Sequence, residues 1–148
     1  AIVTKPFMFE GTRRMKQARA AIKKLRENVD TVIVISNDRL LDIIPEDTPI
    51  EQAFAVADDI LRQGVVGISD IIVKPGLVNV DFADVRAVMS NAGTALMGIG
   101  MADGKAAALE AATAAISSPL IETSIKNAQA VVINVVGGDA LALNQVYE

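Results

Sequence analysis

Asp81 and Asp84 are spaced i, i+3 where a helix running to about Ala92 should begin. Carboxylates in such a place lie beside unsatisfied backbone N–H groups and the positive end of the helix dipole, so both stay ionised. With Asn79 next to them, two fixed anions could orient and polarise a water for attack on a phosphoryl group. The same spacing describes an ordinary cap, Asp81 at the N-cap and Asp84 at the third helical position. Spacing alone leaves both readings open.

A second set of residues could hold a nucleotide. Glu10 and Arg14 are i, i+4 and could form a surface ion pair. They also follow the end of a strand, where Arg14 could meet a phosphate or ribose and Glu10 a sugar hydroxyl. Asn37 sits at another strand's carboxyl end, a place equally suited to a turn or cap. Asp58 could pair with Arg62 one turn later. Alternatively it could accept two N–H donors from guanine, with Phe54 one turn earlier packing on the ring.

The elements that must position these groups follow from pattern. Ala1 to Val3 reads as the end of a buried strand, stopped by Thr4-Lys5-Pro6, and Gly11 opens a helix with Met15, Ala18, Ile22 and Leu25 on one stripe. Thr31 to Ile35 is a β-branched run ended by Ser36-Asn37-Asp38, the pattern of a central parallel strand whose carboxyl-end loop is the usual place for ligands. Thr48-Pro49-Ile50-Glu51 combines an N-cap Thr, a Pro at the first helical position and a Glu that would close a capping box. A long helix is expected from Pro49 to about Val73, its apolar arc wide enough for burial between two lobes. Beyond Pro75-Gly76, Thr94 to Gly100 reads as a strand, Lys105 to Ser117 as a helix and Ala130 to Val136 as a further strand. The expected division is 1–48, the end of a parallel α/β lobe; 49–75, a connecting helix; and 76–148, the start of a second α/β lobe.

Composition excludes several chemistries. Of 148 residues, 51% are hydrophobic and 22% charged, which permits a packed domain or two small lobes. The chain contains no Cys and no His, removing disulfides, thiol nucleophiles, the usual zinc ligands and an imidazole base. No metal ligand set is expected. The net charge of -4 and a scatter of Lys and Arg along the chain argue against nucleic-acid binding. The longest uncharged stretch, Ala87 to Ala102, falls short of the roughly 20 apolar residues a membrane helix needs, so no direct membrane insertion is expected. The chain opens in mid-strand without Met and is expected to be an internal piece of a longer protein.

Several segments resemble the FtsZ family of tubulin-like division GTPases: TKPFMFEGTRR from Thr4, SNDRLL from Ser36, AFAVADDILRQGVVGISDII from Ala53 and GLVNVDFADVRAVMSNAG from Gly76. ALMGIG from Ala95, EAATAAISSPLIETSI from Glu110 and VVINVVGG from Val131 extend the likeness along nearly the whole chain. DDILRQGVVGISDII and LVNVDFADVRAVM look most like cyanobacterial and chloroplast members. The resemblance implies the C-terminal part of a Rossmann-like GTPase lobe in 1–48, a long central helix in 49–75, and in 76–148 a synergy loop with the first part of a C-terminal activation lobe.

It also implies residue roles. Glu10 and Arg14 match ribose-side and nucleotide-contacting positions, and Asn37, Phe54 and Asp58 match guanine-binding ones. Asn79, Asp81 and Asp84 match the loop that enters the nucleotide site of the next subunit, so hydrolysis would be coupled to assembly. The implied ligands are GTP and GDP, with Mg2+ in the full-length protein. The implied partners are further copies, head to tail in protofilaments, and division-ring proteins, in bacterial cytoplasm or plastid stroma. The family's Gly-rich phosphate signature is not among these residues, so tight GTP binding by this chain alone is not expected. Exposed sheet edges are expected instead, relieved by dimerisation or strand exchange. Smaller departures are Ser36, Ala106, Ala107, Ala140 and Gln145.

Two hypotheses compete. In one, the segment belongs to a filament-forming GTPase and donates activating carboxylates. In the other it is a non-catalytic module that joins or caps filaments. A dinucleotide-binding enzyme has little support, because no G-x-G-x-x-G follows a strand.

Overall fold

The β-branched run at the centre of the first lobe organises everything around it. The computed structural model describes residues 1–74, 81–104, 106–118, 120–121 and 128–138. Strands β1 (Ile2–Lys5), β2 (Thr31–Ser36) and β3 (Gly93–Ala95) form a parallel sheet in the order β1-β2-β3. Ile2 lies opposite Ile33, Lys5 opposite Ser36, and on the other edge Thr31 opposite Gly93. Val32, Ile33 and Ile35 are all buried, on both faces of the sheet, as a non-alternating apolar run requires. Each such side chain contributes about 1.5–3 kcal/mol of burial, so this strand anchors the lobe.

Parallel strands need a crossover. Helix α1 (Thr12–Arg26) supplies it between β1 and β2. Its N-cap, Gly11, has φ 100°, a conformation glycine adopts without a Cβ penalty. The Gly11 N–H donates to the Met8 carbonyl at 3.2 Å, and its own carbonyl accepts from the Met15 N–H at 3.2 Å, so one residue ends the 3-10 turn Met8–Glu10 and starts the helix. Met15, Ala18, Ile22 and Leu25 are half-buried on one stripe, as their spacing predicts. One expectation needs correcting: Lys and Arg are not scattered. Seven of the 14 lie on α1, all exposed, and the helix has no acid.

Helix α2 (Ile50–Val73) has 24 residues and so is about 36 Å long. The expected capping box at its start does not form. The N-cap is Pro49, with no side-chain bond, and the Thr48 hydroxyl donates instead to the Pro45 carbonyl at 2.6 Å, closing the preceding turn. Nor is the apolar arc widely buried. Ala53, Ala57 and Gly64 are covered, while Ile50, Phe54, Val65, Val66, Ile72 and Val73 are exposed. Small residues let the helix backbone approach the sheet closely, and that contact is narrow.

Helix α3 (Phe82–Met89) leads into β3 and is fastened to the amino end of β2. The Thr31 hydroxyl donates to the Met89 carbonyl, the Asn91 N–H to Asp30 Oδ1 at 3.3 Å, and the Gly93 N–H to the Asp30 carbonyl at 2.9 Å. These elements complete the first of two compact units, Ala1–Leu96; the second is Met97–Glu148. Pro75 and Gly76 lie outside the described residues.

In the second unit, helix α4 (Ala107–Ile116) is shorter than the expected Lys105 to Ser117. Gly98 and Gly100 run against it so closely that a Cβ on either would stand 2.1 Å from the Ala115 carbonyl oxygen or 1.9 Å from that of Ala111. This contact explains why the strand expected to reach Gly100 stops at Ala95: the glycines serve helix packing, not a ladder. Ala130 to Val136, expected as a strand, is not one. Val131, Ile133 and Val136 are exposed, so the segment lacks the covered face that a strand of this composition fits. Among the described residues no helix is long and apolar enough to cross a membrane.

Candidate functional site

Most of the candidate ligand-binding residues gather where β1 and β2 end. Because Lys5 pairs with Ser36, the segments leaving the two strands emerge side by side. They are cross-linked there: the Met8 N–H donates to Asp38 Oδ1 at 2.8 Å. Glu10 is held twice, Oε1 accepting from the Phe7 N–H at 2.8 Å and Oε2 pairing with Arg14 Nη1 at 3.1 Å. The Glu10 side chain is 10% exposed and that of Arg14 70%. Glu10 is thus a fixed, largely desolvated anion, and Arg14 keeps most of its guanidinium donors in water.

Asn37 begins a 3-10 helix, Asn37–Asp42, and is buried. Its side-chain Oδ1 is buried without a hydrogen-bond partner among the described residues. An unsatisfied buried acceptor costs about 1–3 kcal/mol, so nothing in the turn itself accounts for Asn here. The neighbours are anchored, Ser36 in the sheet and Asp38 to Met8, so this oxygen stands out as an unused acceptor among the described residues.

Phe54 projects from the first turns of α2 into an aromatic group. Its ring meets Phe7 edge-on at 5.4 Å and Phe9 edge-on at 6.1 Å, and Phe7 stacks on Phe9 at 5.1 Å. Phe7 is fully buried, Phe9 59% and Phe54 37% exposed. The buried ring therefore fixes two rings that keep open surface, a platform on which a flat ligand can pack. Asp58, one turn after Phe54, is exposed and has no ion pair among the described residues. Of the two alternatives for Asp58, the pair with Arg62 does not form, because Arg62 turns to Asp59, with Nε at 2.9 Å and Nη2 at 2.6 Å. The Arg62 hydrogen bonds, then that of Gln63, hold the Asp59 carboxyl below the usual aspartate range. Asp58 keeps both oxygens available.

Asp81 and Asp84 form a closed capping box. The Asp84 N–H donates to Asp81 Oδ1 at 2.9 Å, and the Asp81 N–H to Asp84 Oδ2 at 3.3 Å. Both residues are exposed, and the second oxygen of each carboxylate has no hydrogen-bond partner among the described residues. No described contact joins this pair to Glu10, Asn37 or Phe54. Asn79 lies outside the described residues, as do Ala140 and Gln145. No group of three or more acidic side chains among the described residues is placed to hold a metal ion.

Sequence reasoning missed Phe7, Phe9 and Asp38. The signal was present in Phe7-Met8-Phe9 directly after a strand end, where the exposure of a ring has to be explained, but a contact with Phe54, 45 positions beyond Phe9, has no local signature.

The chain is similar to known proteins along most of its length. Residues 1–45 match the GTPase domain of the tubulin/FtsZ family, and residues 93–148 match the C-terminal domain of the FtsZ family. Two solved structures from M. jannaschii, an empty FtsZ dimer and an FtsZ W319Y mutant, are each 47% identical to the chain over 82% of its length, with a TM-score of 0.79. The chain spans 35% and 36% of their respective lengths. With both family models matching in chain order and solved relatives bridging them, the chain belongs to the tubulin/FtsZ family of GTPases and has its parallel α/β fold with a central helix.

Proposed function

We propose that this segment contributes the guanine and ribose contacts of a filament-forming division GTPase, and that its Asp81 and Asp84 complete the hydrolytic site of the next copy in a head-to-tail filament. The observation that carries the proposal is the buried, unpartnered Oδ1 of Asn37 beside the anchored strand ends. It can accept one base N–H while Asp58 accepts two more and Phe54 packs on the ring. Glu10 is rigid enough to select a ribose hydroxyl, and Arg14 can turn its free donors to a phosphate or ribose.

The trans role of the acids is supported by chain geometry. Val73 lies nineteen residues beyond Phe54 on the same helix, about 28 Å at 1.5 Å per residue, which carries the chain away from the proposed base-binding end before Asp81 is reached. A capped pair of carboxylates then offers fixed second oxygens to a water, as hydrolysis of a phosphoryl group requires. Asn79 belongs to the same proposed loop. The second reading, a non-catalytic module that joins or caps filaments, is favoured by the capping box itself, which gives both acids a structural occupation. Co-sedimentation with filaments of a complete family member separates the two readings, together with the hydrolysis rate of Asp84→Asn in a chain extended by a Gly-rich phosphate-binding portion. The first expects retained nucleotide binding and a collapsed rate. A wild-type rate, with co-pelleting intact, would establish the second.

A further inference from the structure

The cations of α1 form a pattern that nucleotide binding does not use. Lys16, Arg19, Lys23 and Arg26 follow one another at spacings of three, four and three, so they share one stripe about 15 Å long. All four are exposed, and none has an ion pair among the described residues. Neighbours of like charge at this spacing repel. A helix dipole welcomes Lys23 and Arg26 in the last turn, but not Lys16 in the first half or Arg19 in the middle. The half-buried stripe Met15, Ala18, Ile22 and Leu25 lies about 100° round the helix from it, each member one residue earlier, so the basic stripe borders the buried face and is itself exposed along its length.

The rest of the chain is its electrostatic complement. Outside α1 there are 18 acids against seven bases. The densest uncompensated group is Glu46, Asp47 and Glu51, three exposed acids with no ion pair among the described residues and no base between them. Around them Ile43 and Ile50 are 50% and 63% exposed, and aliphatic stems of Lys and Arg can cover such side chains while their heads meet carboxylates.

We infer that the basic stripe of α1 docks the acidic segment 46–51 of a second copy of this chain, a contact distinct from the head-to-tail one that the proposed function requires. Two other polyanions fit less well. Nucleic acid would meet no aromatic side chain on α1 and a chain of net charge -4 around it. An anionic bilayer would find no free apolar face on the helix.

The chain has no cysteine, so engineered thiols report the contact cleanly. Lys23→Cys and Asp47→Cys chains, mixed and oxidised at about 0.1 M salt, should give a mixed disulfide dimer, falling several-fold at about 0.5 M salt. Adding Lys16→Glu with Arg19→Glu to the first chain, or Glu46→Lys with Glu51→Lys to the second, should each lower the yield by about tenfold. Combining the two reversed chains should restore it to within about threefold of the original. Circular dichroism checks folding, and Lys16→Gln with Arg19→Gln, which removes charge without reversing it, should lower the yield to an intermediate level. Crosslinking that ignores the reversals, or fails to return when both are combined, overturns the inference. So does a helix reversal that abolishes retention on duplex DNA or on phosphatidylserine vesicles while leaving the disulfide yield unchanged, which would assign the stripe to that polyanion.

Discussion

Replacing Asp81 and Asp84 by Asn separates the two roles these residues have been given. In the capping box each carboxylate uses one oxygen, at 2.9 Å for Asp81 and 3.3 Å for Asp84, and the Asn carbonyl oxygen can take the same place. Asn caps as well as Asp. What the substitution removes is charge, and at an exposed helix start the charge–dipole interaction is worth about 0.3–1 kcal/mol. Asp81→Ala removes the bond itself, for about 1 kcal/mol. That is enough to fray a helix of eight residues with Val85 as its buried side chain. Destabilisation of about 1 kcal/mol changes a folded population by roughly fivefold, whereas a positioned carboxylate acting on a water contributes about 10²–10⁴ in rate. The expected outcome is therefore a loss of at least about a hundredfold in GTP hydrolysis for Asp84→Asn, with helix content and nucleotide affinity nearly unchanged. The assay is phosphate release by the chain joined to a Gly-rich phosphate-binding portion, beside circular dichroism and nucleotide titration. Wild-type turnover in the Asn variants, or Asn and Ala variants falling together in proportion to lost helix, would refute the reasoning and leave both residues as caps.

Three further outcomes are expected. Asn37→Ala removes an acceptor that has no partner, so the melting temperature should barely move while guanine nucleotide affinity, read by fluorescence titration, falls about tenfold. Gly98→Ala or Gly100→Ala drives a Cβ into a helix carbonyl and should destabilise the second unit by about 1–3 kcal/mol, measured as faster limited proteolysis; Gly67→Ala, with nothing within 4 Å of its Cβ, should instead stabilise α2 by up to about 1 kcal/mol. Asp59, whose carboxyl is held below its ordinary range by Arg62 and Gln63, binds fewer protons when folded than when unfolded. Its stabilising contribution is therefore complete above about pH 4 and is lost as pH falls further; Asp59→Asn should flatten the acid loss of α2 helicity followed by circular dichroism.

The sequence made the sheet legible because β2 is apolar without alternation, and only a strand covered on both faces tolerates that. It made α1 and α3 legible through a Gly and an Asp at their starts. The start of α2 misled because the Thr48 hydroxyl donates to the Pro45 carbonyl rather than turning its oxygen to accept a helix N–H, a choice that local pattern does not encode. Ala130 to Val136 misled for a different reason: strand propensity describes a surface fit for pairing, and pairing needs a second segment. At the candidate site, Glu10, Arg14 and Asn37 were legible from their places after strands, and the Glu10–Arg14 pair forms as their spacing allows. The aromatic platform was not, since the contacts of Phe7 and Phe9 with Phe54 arise only when α2 lies back across the end of β1.

β2 has Asn37 just beyond one end and, at the other, Thr31 fastened to α3 through the Met89 carbonyl. Its six residues span about 17 Å, and a hydrogen-bonded strand buried on both sides neither stretches nor buckles at modest load. It therefore behaves as a strut. A displacement of α3 imposed from outside would thus reach the turn at Asn37, the proposed nucleotide contact, with little absorbed on the way.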